Sequence, residues 1–356
     1  MNKILITLAI GLTTVSSIFA NGTKEESVAS STKKAFEGET LTVSTWGYNM
    51  DILQENLFTP FEEEYGCKIV LETGNNSSRF TKMVARKDNP VVDVVQFAGD
   101  WTYKAAEAGI IQPYDESIIT NLSSIMDSAK DPNGNKYGVG YAIGNLSLAY
   151  RADKVDEVTS WRDLLRADAS GYVAIPQLTT TYGPYLIYML TKAYTGDFKD
   201  LEVGWEKLEE LAPSLVTAYS KSSELNSLIA QEEVYLAPFS NFSWGALSQT
   251  GLDLVSVIPE EGLVGSFSVV SVAANTKKEE LANLYINHLI SYDVQLAEAM
   301  DLVDSPVRND IDLPEEIGSQ LCYGDELIDS LNFFDQAETA ELMPNWIDRW
   351  NEIFTK

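Results

Sequence analysis

"TLTVSTW" (40–46) followed by "DILQENLFTPFEEEYG" (51–66) decides the reading of the fold. A short apolar strand gives way to a longer amphipathic stretch, and the same exchange follows twice more, as "CKIVLET" then "SSRFTKMVARKD", and "VVDVVQFAG" then "DWTYKAAEAG". Alternation of this kind predicts βαβ units and a largely parallel sheet with helices on its faces. The first strand stops at Trp46-Gly47-Tyr48, two large rings around a glycine turn. Such a turn either fills a core or lines a cleft, and the rest of the chain has to decide.

Beyond it, "KYGVGYAIGNLSLAYRADKV" (136–155) places strand-like runs close together without a helix between them. A second α/β region follows, from "WRDLLRAD" through "GYVAIPQ", "YGPYLIYMLTKAYTG", "VYLAPFS" and "LDLVSVIPEEG". Then come the apolar strand "GSFSVVSVAANT", the helical "KKEELANLYINHLIS", and an acidic helical close in which Trp346, Ile347, Trp350 and Ile353 recur at helical spacing as expected core contacts. The chain has 356 residues, beyond the size at which single cores stop growing, so two lobes are expected. The crossings at 146–150 and 266–272 are the expected hinge. They divide the chain into lobe I, 39–147 plus 268–312, and lobe II, 148–267 plus 313–356.

The first twenty residues read as a secretory signal peptide, with an early Lys3, an apolar run from Ile4 and Ala20 before the cleavage point. Residues 21–38 read as a flexible polar leader, so the mature protein is expected to begin near Asn21, exported and periplasmic. No cysteine stands near that point to carry a lipid. Cys67 and Cys322 are the only two cysteines, and either a bridge or two buried thiols fits them. With 53 acidic against 25 basic residues the net charge is -28, which argues against nucleic acid as a partner.

In open parallel sheets, the loops at the carboxyl ends of strands face the ligand. These loops are "TWGYN", "TGNNSS", "FAGDW", "GNLS", "TTTYGP" and "SNFSW". They offer Trp46, Tyr48, Asn76, Asp100, Trp101, Asn145, Thr181, Tyr182, Asn241 and Trp244, the composition of a pocket for a small polar solute. Asp100 and the rings suit a cation. The helix starts near Ser77 and Thr180 suit an anion, and a zwitterion can use both. No nucleophile motif, phosphate loop or metal cluster is present. The single His288 lies in an apolar helical pattern, and "DPNGNKYG" lacks the glutamate of a calcium loop, so no catalytic residue, metal or cofactor is expected.

The order and spacing of "LTVSTWGYNMD", "LFTPFEEEYGCKIVLETG", "VVDVVQFAGDWTYKAAEAGIIQPYD", "NKYGVGYAIGNLSLAYRADKV", "TSWRDLL", "AQEEVYLAPFSN" and "SVVSVAANTKKEELANLYINHLIS" resemble the periplasmic solute-binding proteins of ABC importers, in the group of the spermidine/putrescine-binding proteins. The resemblance implies an α/β, two-lobed periplasmic binding protein fold of type II, with a hinge of crossing strands. It further implies capture of a small solute by a monomer that delivers it to a membrane permease. Trp46 and Tyr48 match rings that border the ligand in that family, and Asp100 and Trp101 match a Tyr pair. Ser268 stands near a position where the polyamine binders carry an acid. A second such acid is absent at Thr180 and Thr181. The tryptophan expected near Ser240 is also missing, with Trp244 as its substitute. The other readings are an exported enzyme on the same scaffold, with Asp100 as its only candidate base, a binder of anionic or neutral solutes, and a module reporting to a membrane sensor.

Overall fold

The computed structural model describes residues 34–354, so the expected signal peptide, the leader up to residue 33 and the start at Asn21 lie outside the described residues. Among the described residues, twelve strands form one mixed sheet. They are β1 (Thr40–Thr45), β2 (Lys68–Thr73), β3 (Val94–Ala98), β4 (Ile111–Gln112), β5 (Val139–Arg151), β6 (Val173–Pro176), β7 (Leu215–Tyr219), β8 (Leu236–Ser240), β9 (Leu254–Val257), β10 (Leu263–Ala273), β11 (Ser305–Pro306) and β12 (Leu331–Asn332). The main path runs β2-β1-β3-β10-β5-β8-β6-β7. Its two ends are parallel, as the alternation predicts: β1 pairs with β2 and β3, and β6 with β7 and β8. The middle departs from that expectation. Both β3–β10 and β10–β5 are antiparallel, and so is β5–β8. The runs at 136–155 join into one strand of 13 residues, because nothing between Val139 and Arg151 breaks the extended backbone.

β3 is buried at every position, VVQFA, as befits a strand covered on both faces. The helix Thr59–Tyr65 starts with Pro60 in its first turn and ends at Gly66, whose φ of 79° closes the last turn left-handed. Asn75 caps the helix Asn76–Ala85 by accepting from Ser78 N–H at 2.8 Å.

The apolar interior separates into clusters. A first core joins Leu41, Phe61, Val94, Val269, Tyr285, Cys67 and Cys322. A second joins Leu146, Trp161, Leu186, Trp205, Leu236 and Trp346. Smaller clusters lie around Phe97 and around Phe239. The two long strands run between these regions: β10 lies against β3 through Ser268–Val272, and β5 lies against β8 through Leu146–Tyr150. The closing helix Gln336–Phe354 buries Trp346 and rests Trp350 and Ile353 on the second core. Ile347 departs from expectation: it is 37 % exposed, since it follows Trp346 around the helix onto the solvent side. The "DPNGNKYG" segment is a turn in which Asp131 accepts from Lys136 N–H at 3.0 Å.

Candidate functional site

β1 ends where Gly47 takes a φ of 78°, and a Cβ there would stand 2.9 Å from the Thr73 side chain, so glycine is required. Trp46 rests on the guanidinium of Arg79, 4.8 Å from the ring centre, with Phe97 at the same distance. Arg79 is fully buried and donates to the carbonyls of Gly74 (2.8 Å), Ser44 (3.2 Å) and Gln96 (2.6 Å) and to Asn76 Oδ1 (3.1 Å). Burial lowers it to about 10, still protonated at neutral pH. Thus one cation fastens the carboxyl ends of β1 and β3 and holds Trp46 and Asn76 in place. Sequence reasoning missed Arg79. Its signal was its position, directly after the "GNNSS" loop. Tyr48 is 54 % exposed and meets the Phe242 ring edge-on at 6.4 Å. That contact brings the loop after β1 to the loop after β8.

The strands β5 and β10 form a polar floor between the two cores. Asn145 N–H donates to Asn241 Oδ1 at 2.8 Å, and Asn241 Nδ2 reaches Ser305 Oγ at 3.4 Å, which also accepts from Cys322 N–H at 2.9 Å. Gly144 matters here, because a Cβ would lie 3.0 Å from the Tyr182 hydroxyl and 3.2 Å from Asn241 Oδ1. Burial raises the Tyr182 phenol, against the opposing pull of the Ser240 and Ser266 hydroxyls. Burial likewise raises the Tyr141 phenol, with the Ser268 hydroxyl pulling the other way. Cys322, beside Asn145, is pushed up to about 12 by burial, and both cysteines are free thiols in the first core.

Thr181, one residue before Tyr182, lines a small groove together with Asp100, Lys104, Thr179, Tyr185 and Gln336. Asp100 Oδ2 is 3.4 Å from Lys104 Nζ, while its Oδ1 is buried with no hydrogen-bond partner. Burial raises this carboxyl despite Lys104. Tyr185 donates to Gln336 Oε1 at 2.8 Å. The structure therefore gathers Asn145, Tyr182, Asn241 and Ser268 on the floor and Asp100 with Thr181 in the groove. Trp46, Tyr48 and Asn76 stand at the neighbouring strand end. Trp101 and Trp244 are placed elsewhere: Trp101 packs on Phe80 at 5.5 Å, and Trp244 packs on Phe239 at 5.5 Å.

His288 is structural, its Nε2 lying 3.2 Å from the Leu57 carbonyl and its ring against Phe61. Burial lowers its pKa. Among the described residues there is no group of three or more His, Cys, Asp and Glu side chains suited to a metal, and no helix long and apolar enough to cross a membrane.

The chain is similar to known solute-binding proteins. The spermidine/putrescine-binding periplasmic protein of Escherichia coli is 28 % identical over 276 residues, covering 75 % of this chain and 77 % of its own. The putrescine-binding periplasmic protein PotF of the same species is 24 % identical, covering 73 % and 75 %. The crystal structure of an ABC transporter from Clostridium perfringens is 34 % identical over 88 % of this chain and 99 % of its own, with a TM-score of 0.79. The two-lobed periplasmic binding protein fold is thus the fold of this chain, with the crossing pair β5 and β10 at its centre. The bacterial extracellular solute-binding protein family matches residues 56–320, and the chain belongs to that family.

Proposed function

We propose that this protein is the extracytoplasmic substrate-binding subunit of an ABC importer, a monomer without cofactor or catalytic activity that traps a small organic amine or zwitterion between two lobes and hands it to a membrane permease. The observation that carries the solute class is the buried, unpartnered Oδ1 of Asp100, in a groove it shares with Thr181 and Tyr185. A cationic group completes that carboxylate where Lys104 meets only its other oxygen. The printed functions of the Escherichia coli relatives, spermidine and putrescine binding, lie in the same class. We assign lobe I to 39–147 plus 268–312 and lobe II to 148–267 plus 313–356, with the return segment lending Cys322 to the first core. The hinge is assigned to 146–150 and 266–272, where β5 and β10 leave one set of partners for the other. Residues 1–20 are assigned as the export signal, which makes the mature protein periplasmic.

The test is calorimetry with putrescine, spermidine and γ-aminobutyrate, together with small-angle scattering. Binding of one of these with compaction is expected, and Asp100→Asn should weaken it by about 1.5–3 kcal/mol. Failure to bind any amine, or an unchanged radius at saturation, overturns the reading.

A further inference from the structure

The groove that contains Asp100 holds a second charge, of opposite sign. Asp100 and Lys104 stand four residues apart on the helix Gly99–Glu107, which places both on one face, and both line the groove. Lys104 Nζ lies 3.4 Å from Asp100 Oδ2, well beyond the about 2.7–2.9 Å of a close charge-assisted hydrogen bond. Behind it stands the Trp101 ring, 4.5 Å from the ammonium and itself packed on Phe80. Among the described residues Asp100 is the only hydrogen-bond partner of that ammonium, so most of its donors remain for another acceptor.

The opposite wall is uncharged. It consists of Thr179, Thr181 and Tyr185 with Gln336 of the closing helix, against which the helix Gly99–Glu107 lies. Tyr185 spends its hydroxyl proton on Gln336 Oε1 at 2.8 Å, and Gln336 Nε2 donates to the Phe334 carbonyl at 3.2 Å. Among the described residues Asp100 and Lys104 are thus the only charged side chains on the groove, one with a buried free oxygen and the other with free donors.

We propose that Lys104 determines specificity by pairing with the carboxylate of a zwitterionic solute whose ammonium takes the free Oδ1 of Asp100. This rests on the amine-binding reading above and narrows it from amines in general to amino acids. A carboxylate brought to Lys104 gains a charge-assisted hydrogen bond, whereas the second ammonium of a diamine meets a like charge and finds no acceptor. Discrimination therefore comes from repulsion as much as from attraction. The Lys104 side chain is 35 % exposed, so added salt should reduce the preference.

γ-Aminobutyrate and putrescine share a carbon chain of the same length and one ammonium, and differ in whether the far end is a carboxylate or a second ammonium. Calorimetry with both at pH 7 is the test. The wild type is expected to bind γ-aminobutyrate roughly tenfold or more tightly than putrescine. In Lys104→Met that ratio should fall by roughly tenfold or more at an unchanged melting temperature, and Lys104→Arg, which keeps the charge, should retain it. Wild-type binding of putrescine as tight as that of γ-aminobutyrate overturns the inference, as does a Lys104→Met ratio within about threefold of the wild-type value. If putrescine binds at least as well as γ-aminobutyrate and Asp100→Asn weakens it, the amine reading stands and this inference alone falls. If neither of them binds, nor spermidine, the amine reading falls with it.

Discussion

Around the first core the protein buries several charged and amide side chains beside its rings, whereas around the second, Arg151 apart, it buries mainly rings. Arg79, Asp93, Gln295, Glu298 and Arg308 are all less than 9 % exposed in the first region, and several hold strand ends or loops through backbone carbonyls. In the second region Tyr185 and Tyr188 pack on Phe334, and Tyr188 and Trp205 pack on Trp346. Trp161 is fully buried there, with its indole N–H donating to the Gly262 carbonyl at 2.9 Å. The comparison teaches where each half derives its order. Ring packing is insensitive to pH and salt, while a buried charge ties the stability of its surroundings to protonation and to whatever ion approaches. The half rich in buried charge is the one suited to sense a charged solute.

The strongest way to break this contrast is Trp161→Ala. Loss of a fully buried indole should cost about 3–5 kcal/mol in chemical denaturation, with the same penalty at pH 5.5 and pH 8.5. A cost below about 1 kcal/mol would mean the second core does not depend on its rings. Arg79→Met comes next. Stripped of their donor, the carbonyls of Ser44 and Gln96 remain buried, and a loss of about 2–4 kcal/mol with a shift in Trp46 fluorescence is expected. Unchanged fluorescence would show that Arg79 does not position the ring.

Glu298 sharpens the contrast through pH. Burial raises its carboxyl to about 8 from an ordinary 4.5, so the folded form favours the protonated acid. Its contribution is complete below the unfolded value and is lost as pH rises through about 8. Wild-type stability should therefore fall between pH 5 and pH 8.5 by about 1–3 kcal/mol relative to Glu298→Gln, read from paired denaturation curves. A parallel decline in the variant would assign the pH dependence to another group. The smallest effect is expected at Ile347→Lys: the side chain is already exposed beside buried Trp346, so stability should stay within about 0.5 kcal/mol.

Strand-helix alternation was legible because each βα unit is local, and the Trp46-Gly47-Tyr48 turn announced itself through a glycine that only a left-handed turn needs. What the alternation could not reveal is strand direction at the centre, because β10 reaches β3 from far along the chain. Asp100 and Trp101 were read together, yet consecutive residues on a helix point about 100° apart, so one lines the groove while the other packs on Phe80. Cys67 and Cys322 share a core without bridging, a fact that spacing alone had left open.

The position of β10 has a consequence for how the chain acquires its shape. It is the only strand on the main path between β3 and β5, so the sheet stays in two unconnected pieces until Leu263–Ala273 arrives. A nascent chain shorter than that has no central ladder to complete, however good its local units. Native order therefore forms late and depends on contacts between distant segments, which favours slow folding and an extended period in which the polypeptide is exposed to chaperones.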